Sequence, residues 1–116
     1  MTDIRRLTPA DLSLAQEMNR LFGEVFEDRE TYGGAPPDEA YLLELLAQPH
    51  AIALVAQDGE VMAGALVAYE LPKFEQARRE IYIYDLAVLE SHRRRGIATA
   101  LIGEVQAIAT ARGAWV

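Results

Sequence analysis

One carboxylate, Asp85, interrupts a long and mostly apolar stretch of the chain at residues 80–89. A carboxylate among apolar neighbours needs a charged or hydrogen-bonding partner. Such a group can bind a cationic ligand, or act directly or through water as a general base. Alternatively, it accepts hydrogen bonds from nearby backbone N–H groups and has a structural role only. The residues alone leave both interpretations open.

A basic cluster follows the apolar stretch, because Arg93, Arg94 and Arg95 directly precede Gly96 at the predicted start of a helix. A glycine leaves room for a ligand, and the first N–H groups of a helix have no partner within it. The helix dipole and the arginines add positive charge, so the segment is typical of a phosphate-binding loop. The alternative is an ordinary core strand at residues 86–88 followed by solvated charges.

The first half of the chain predicts the elements that precede this site. Residues 2–7 indicate a strand, and a helix follows with apolar residues at helical spacing, at Leu12, Ala15, Met18, Leu21 and Phe22. A loop rich in Gly and Pro comes next at Thr31–Pro37. A shorter helix at residues 38–47 is ended by Pro49.

The second half predicts strands at residues 51–56, 61–69 and 80–89. A tight turn at Asp58-Gly59 makes the first two an antiparallel hairpin, and residues 71–79 are a polar connection. A helix at 95–111 and the start of a strand at 114–116 complete the order. We predict an α/β (α+β) domain with a mixed, mostly antiparallel sheet flanked by helices. This order disfavours a Rossmann-type nucleotide binder, in which the glycine loop follows the first strand.

Length and composition limit the classes of protein to which the chain can belong. Its 116 residues predict a single domain, 1–116, and half of them are apolar, which is enough for a core. The N-terminus lacks the apolar stretch of a signal peptide, and no apolar run is long enough to span a membrane. We therefore expect a cytoplasmic protein with no membrane partner.

Net charge and the numbers of Cys and His residues limit the possible partners and the possible catalytic chemistry. The net charge of −7 argues against a nucleic acid partner and suits a cationic small molecule. The chain has no cysteine, which excludes a thiol nucleophile. Its two histidines, His50 and His92, have no ligand cluster around them in the sequence, so no metal is expected.

The segment Arg93 to Ala98 resembles the pyrophosphate loop of the GNAT acetyltransferases, in which Gln or Arg is followed by two variable residues, Gly, one variable residue and Gly or Ala. The resemblance implies the GNAT acyl-CoA N-acyltransferase fold and acetyl-CoA as cosubstrate. It also implies a bulge in the preceding strand, beside which the pantetheine arm inserts like an added strand. The cofactor-binding residues that it implies are Leu86, Ala87, Val88, Arg93, Arg94, Arg95, Gly96, Ile97, Ala98 and Thr99.

A closer resemblance, to the aminoglycoside 3-N-acetyltransferases of the GNAT fold, rests on residues 71–78, 80–88 and 92–102 and extends over essentially the whole chain. It implies direct acetylation of the 3-amino group of aminoglycosides, and hence antibiotic resistance, with Asp85 as the catalytic residue. Family members continue with a further strand, a helix and closing strands. We therefore expect the domain to be C-terminally truncated relative to that family.

The same resemblance places the acceptor cleft beside acidic residues. We predict substrate-binding roles for Glu24, Glu27, Asp28, Glu75 and Glu80. Carboxylates can hold the ammonium groups of an aminoglycoside, although solvated surface is the alternative for each of them. Phe74 and Tyr32 are candidate walls of the cleft.

Two other functions stay open at this stage. The acceptor of the acetyl group is a polyamine or a protein amine in the first alternative. In the second, the chain is a non-catalytic fragment that binds acetyl-CoA or associates with another chain through its open sheet edge. Association of two copies into a homodimer belongs to the same set of hypotheses.

Overall fold

A computed structural model describes residues 2–116. The strands are β1 (Thr2–Arg6), β2 (Ala51–Asp58), β3 (Val61–Pro72) and β4 (Arg79–Val88). The helices are α1 (Leu12–Val25), α2 (Arg29–Gly33), α3 (Glu39–Leu46) and α4 (Ile97–Arg112). Single 3-10 turns lie at Pro9–Asp11 and Glu90–His92. Within residues 2–116, no helix is both long enough and apolar enough to cross a membrane.

The four strands form one antiparallel sheet in the order β1-β2-β3-β4. Gly59 adopts the left-handed conformation, with φ +64°, in the tight turn that joins β2 to β3, which confirms the predicted hairpin. Trp115 adds a parallel bridge to Glu80 at the start of β4. The sheet is therefore mixed but mostly antiparallel, with helices against both faces, as predicted.

Each face of the sheet has its own apolar core. The α4 face holds Leu54, Leu66, Ile97, Leu101 and Val105, all nearly inaccessible to solvent. The opposite face packs against α1 and holds Ala15, Met18, Phe22, Val55 and Ala87. β4 is one of the two edge strands of the sheet, and its C-terminal half adjoins both sites described below.

Three predicted boundaries were wrong. The predicted loop at residues 31–37 begins inside α2, a short helix whose first turn is capped by the side chain of Asp28. The last helix begins at Ile97 instead of residue 95, because Arg94 and Gly96 have φ of +64° and +77°, which a right-handed helix excludes. β3 also continues to Pro72, which shortens the connection to β4.

A β-bulge divides β4. Val67 pairs with Asp85 whereas Ala68 pairs with Ile83, so Tyr84 is an extra residue on the β4 side. This bulge changes the face on which successive side chains lie. Simple alternation would put Ile81 and Ala87 on one face, but Ile81 lies in the α4 core and Ala87 in the α1 core. Strict alternation along β4 therefore fails between Ile81 and Ala87, on the two sides of the bulge.

Candidate active site

Beyond the bulge, β4 has an open backbone edge. The N–H group of Leu89 donates to the Ala63 oxygen in β3, at 2.8 Å. Because N–H and C=O groups point to alternate sides along a strand, those of Leu86 and Val88 point away from β3. No other strand within residues 2–116 lies on that side of β4 there. An extended chain with amide groups, such as pantetheine, fits this edge as an added strand.

The opposite end of β4 is closed. The N–H of Ile81 donates to the Trp115 oxygen at 2.6 Å, and the Trp115 N–H donates to the Arg79 oxygen at 3.0 Å. The Trp115 ring also lies under the Arg78 guanidinium, at 4.7 Å from the ring centroid. The segment after α4 therefore pairs with the first part of β4 only, and the gap beside β4 opens toward Val88.

The loop from β4 to α4 presents backbone N–H groups to this gap. The first α-helical hydrogen bond of α4 runs from the Ala100 N–H to the Gly96 oxygen, at 2.9 Å. The N–H groups of Ile97, Ala98 and Thr99 therefore have no partner within the helix. Together with the positive end of the helix dipole, they form a site that suits a phosphate group.

Gly96 keeps the approach to these N–H groups clear. A Cβ atom built at this position would meet no protein atom within 4 Å, and the φ of +77° disfavours any residue other than glycine. The loop and the β4 edge border one open cleft of about 640 Å³. Nine of the ten predicted cofactor residues line this cleft, whereas Arg95 does not. The residues present fit a ligand with both phosphate and amide groups.

Polar contacts hold the phosphate-binding loop on the sheet. His92 Nε2 lies 3.0 Å from Asp58 Oδ2, which connects the loop to the β2–β3 hairpin. Ser91 Oγ lies 2.8 Å from the other ring nitrogen of His92. The Arg93 Nε–H donates to the outward-facing Val88 oxygen at 3.2 Å. His92 therefore anchors the loop, a role that its position in the sequence did not indicate.

Asp85 lies half-buried in a second, smaller cavity on the α1 face of the sheet. This cavity has a volume of about 230 Å³ and is bordered by α1, α3 and strands β2 to β4. Its walls are mainly apolar and aromatic, and they include Phe22, Tyr41, Tyr69 and Tyr84. The bulge lets the consecutive residues Tyr84 and Asp85 both border the cavity. An amine in this cavity meets a single carboxylate among aromatic rings.

Tyr32 contacts this carboxylate directly. Its hydroxyl donates a hydrogen bond to Asp85 Oδ1 at 3.0 Å. Burial raises the pKa of Tyr32 to about 12, and the hydrogen bond and negative charge of Asp85 add to this effect. The phenol is therefore protonated at any physiological pH, and it donates to Asp85.

The predicted acidic residues near α1 lie outside this cavity. Glu24 borders a separate surface groove with Arg20 and Arg29. Glu27 is exposed in a left-handed turn with φ +54°. The Asp28 side chain accepts a hydrogen bond from the Thr31 N–H at 3.3 Å. Asp28 therefore caps α2, which is a structural role within the same segment.

The other two predicted carboxylates have basic partners. Glu80 accepts hydrogen bonds from the Arg78 guanidinium at 2.6 and 2.8 Å and from the Tyr82 hydroxyl at 2.9 Å. The Arg78 and Tyr82 hydrogen bonds lower the pKa of Glu80, so its carboxyl group is ionised. The Arg78 guanidinium already balances its negative charge. Glu75 is exposed, 3.6 Å from the Lys73 ammonium. Neither side chain borders the cavity around Asp85.

Several residues of the cavity escaped prediction from the sequence. Asn19, Tyr41, Tyr69 and Tyr84 border it and come from α1, α3, β3 and β4. No spacing rule connects these four residues, since each comes from a different element. Phe74, proposed as a wall of the cleft, is fully exposed in the β3–β4 connection. Within residues 2–116, no group of three or more His, Cys, Asp or Glu side chains could hold a metal ion.

Comparison with known proteins connects this architecture to a family. The sequence profile of the acetyltransferase (GNAT) family matches residues 15–116. The solved structure of the aminoglycoside acetyltransferase HMB0005, from an uncultured soil metagenomic sample, is 50% identical, with a TM-score of 0.96. That match covers 100% of this chain and 76% of the other. Comparison with curated protein sequences finds no match.

Two further solved structures extend the comparison. The aminoglycoside acetyltransferase meta-AAC0020, also from an uncultured soil metagenomic sample, was solved in complex with sisomicin. It is 33% identical with a TM-score of 0.88, and the match covers 97% of this chain and 72% of the other. A ribosomal-protein-alanine N-acetyltransferase from Brucella melitensis is 25% identical with a TM-score of 0.73, over 98% of this chain and 75% of the other.

Proposed function

Because the chain belongs to the GNAT acetyltransferase family, we propose that it transfers the acetyl group of acetyl-CoA to an amine of an aminoglycoside. We call the cleft beside the β4 edge and Gly96 the cofactor cleft, and the cavity around Asp85 the acceptor cavity. One observation carries the proposal: the cofactor cleft and the acceptor cavity meet at consecutive residues of β4. Leu86 borders the cleft and Asp85 borders the cavity. The 50% and 33% identical relatives, both aminoglycoside acetyltransferases, support this choice of acceptor.

The cofactor residues divide into two groups with different tasks. The N–H and C=O groups of Leu86 and the N–H group of Val88 hold the amide-bearing arm of acetyl-CoA along the open edge. The N–H groups of residues 97–99 bind its phosphates, with Arg93 and Arg94 as additional positive charges. Acetyl-CoA supplies the acetyl thioester when bound. These backbone groups would hold acetyl-CoA along the part of β4 that adjoins the acceptor cavity.

The acceptor residues act on the amine. Asp85 is the carboxylate at the meeting point, and it either holds the substrate ammonium or accepts the proton that the attacking amine loses. The surrounding tyrosines present flat apolar faces, which suit the C–H faces of a sugar ring. With no cysteine in the chain, no acetyl-cysteine intermediate can form. The proposed transfer is direct: the amine nitrogen bonds to the acetyl carbonyl carbon, the C–S bond of the thioester breaks, and coenzyme A leaves as its thiolate.

Transfer to the 3-amino group is the finer part of the proposal. It rests on the resemblance of residues 71–78 and 80–88 to the aminoglycoside 3-N-acetyltransferases. The bulge at Tyr84 and the position of Asp85 lie in the second of these segments. Substrate-binding roles for Glu24, Glu27, Asp28, Glu75 and Glu80 stay predictions that the geometry does not favour, since none of the five borders the cavity around Asp85.

The experiment is a competition among acceptor amines. The 116-residue protein is incubated with acetyl-CoA and, separately, with sisomicin, spermidine or a peptide with N-terminal alanine. Release of coenzyme A thiol measures turnover, and NMR of the product identifies the acetylated nitrogen. We expect turnover with sisomicin and an amide at its 3-amino group. Preferred turnover of spermidine or the peptide would contradict the choice of acceptor, and acetyl-CoA binding without any turnover would favour a binding fragment.

A further inference from the structure

The Asp85 carboxylate has one anchored oxygen and one free oxygen. The hydroxyl of Tyr32, 53 residues earlier in the chain, donates a hydrogen bond to Oδ1 at 3.0 Å. Within residues 2–116, no other hydrogen bond reaches this carboxylate. We propose that Tyr32 is a positioning residue, which fixes the rotation of the Asp85 carboxylate so that Oδ2 stays directed to the acceptor amine. This inference rests on the proposed function.

Aromatic packing holds the Tyr32 ring in place. The centroid of its ring lies 5.9 Å from that of Phe22 and 5.7 Å from that of Phe26. The rings of Phe22 and Phe26 are stacked at 5.7 Å. Phe22 borders the acceptor cavity and Phe26 borders the cofactor cleft. The hydroxyl of Tyr32 is therefore set by side chains that belong to both parts of the candidate active site.

The backbone of α2 is tied to the end of α1. The Asp28 N–H donates to the Gly23 oxygen at 3.0 Å, and the Asp28 side chain caps the helix. Gly23 permits a close approach, since a Cβ atom there would lie 3.3 Å from the Tyr32 Cβ. A five-residue helix has little stability of its own. These contacts place Tyr32 over Asp85, and they explain why α2 exists within a segment of loop-like composition.

The hydrogen bond between Tyr32 and Asp85 gives the two carboxylate oxygens of Asp85 different roles. A protonated phenol is a hydrogen-bond donor to the carboxylate, and its raised pKa keeps it so. A carboxylate without this anchor rotates about its terminal bond, whose rotamer distribution is broad. Proton transfer needs the accepting oxygen within hydrogen-bond reach of the amine. Loss of the anchor therefore lowers the fraction of the enzyme in which the free oxygen is correctly placed.

The test is Tyr32→Phe, which keeps the ring and its packing and removes only the hydroxyl. We expect kcat for the preferred amine to fall at least about tenfold, the effect of losing about 1.4 kcal/mol of transition-state stabilisation. Acetyl-CoA affinity and the melting temperature should stay close to those of the parent. Tyr82→Phe is the matched control, since it also removes a hydroxyl that donates to a carboxylate, that of Glu80 at 2.9 Å, but Tyr82 borders neither the cavity around Asp85 nor the cofactor cleft.

A double-mutant cycle with Asp85→Asn separates positioning from general packing. If Tyr32 acts through the carboxylate, Tyr32→Phe should change kcat by no more than about twofold in the Asp85→Asn background. Independent effects that multiply would overturn the inference. So would an unchanged kcat of Tyr32→Phe in an active parent enzyme, with the proposed function intact. A parent that acetylates no amine overturns the proposed function first, and the role of Tyr32 with it.

Discussion

The cofactor cleft and the acceptor cavity adjoin each other on β4 but are formed by different kinds of chemical group. The cofactor cleft is made mainly of backbone groups: the open edge at Leu86 and Val88, and the free N–H groups at the start of α4. The acceptor cavity is made of side chains from α1, α3 and three strands, with Asp85 held by Tyr32 from α2. One side is therefore local in the sequence, and the other is assembled over long distances.

This difference predicts how each half responds to substitution. A binding site made of backbone groups tolerates the loss of most side chains, but it fails when the backbone conformation changes. A site made of side chains depends on single groups and on the elements that place them. The substitutions below test this contrast, in order of decreasing expected effect.

Replacing the carboxylate should have the largest effect. Asp85→Asn keeps the shape of the side chain and removes its charge, so turnover should fall at least about a hundredfold, the low end for loss of a general base. Acetyl-CoA affinity should not change, since the cofactor cleft is unaltered. Turnover within about threefold of the parent at unchanged melting temperature would show that Asp85 has no role in the reaction. Asp38→Asn, at the cap of α3, is the control.

Changing the conformation of the phosphate-binding loop should have the next largest effect. Gly96→Val adds a side chain in the open approach and strains a left-handed residue, so acetyl-CoA affinity should fall at least about tenfold, or about 1.4 kcal/mol. Calorimetry with acetyl-CoA measures this change. Gly59→Val is the control, because Gly59 has φ +64° and open surroundings but lies in the β2–β3 turn. Equal losses of affinity in both variants would show that strain alone is responsible.

Crowding the support of Tyr32 should have a moderate effect on turnover. Gly23→Ala places a Cβ atom 3.3 Å from the Tyr32 Cβ, so α2 must shift by a few tenths of an ångström. We expect kcat to fall about threefold to fivefold because the carboxylate anchor moves, a change below about 1 kcal/mol. Gly103→Ala in α4 is the control, as its new Cβ atom meets no atom within 4 Å. A kcat equal to that of this control would contradict the expectation.

Removing one arginine should have the smallest effect. Arg94 borders the cofactor cleft, and Arg94→Ala deletes one exposed charge without changing the backbone, so acetyl-CoA affinity should fall by about threefold. Arg95→Ala should change affinity by less than about twofold, because Arg95 does not border the cleft. Binding measured at low and at high salt checks both variants. A larger loss for Arg94→Ala than for Gly96→Val would reverse the contrast between backbone and side chains.

The part of the molecule that is local in sequence was accessible to prediction. The hairpin follows from Asp58-Gly59 between two apolar runs, and α1 follows from an apolar stripe at helical spacing. The left-handed turn and the helix start at Gly96 follow from a glycine at a junction of strand and helix. Each of these signals lies within a few residues of the structure that it predicts, so no knowledge of the tertiary fold is needed.

The acceptor cavity was less accessible for the opposite reason. Nothing local in the sequence connects Tyr32 with Asp85, because the two meet only after α2 packs on α1. The location of the bulge was also hidden, since Ile81, Tyr82, Ile83 and Tyr84 give neither face of β4 a distinct polarity. The family resemblance and the acidic character of their segments suggested Glu24 and Glu80, but neither contains information on distance from Asp85.

The uneven edge of β4 has a consequence for amide hydrogen exchange. The Ile81 N–H is bonded to the Trp115 oxygen at 2.6 Å and belongs to the closed end of the strand. The Leu86 and Val88 N–H groups face the gap, so their protons exchange with solvent far more readily. The outward-facing amides of this one strand thus exchange slowly at its closed end and rapidly at its open end. A ligand that pairs with the open edge protects alternate amides there from exchange. This periodicity of two residues differs from the protection expected when a ligand contacts the helix or the loop.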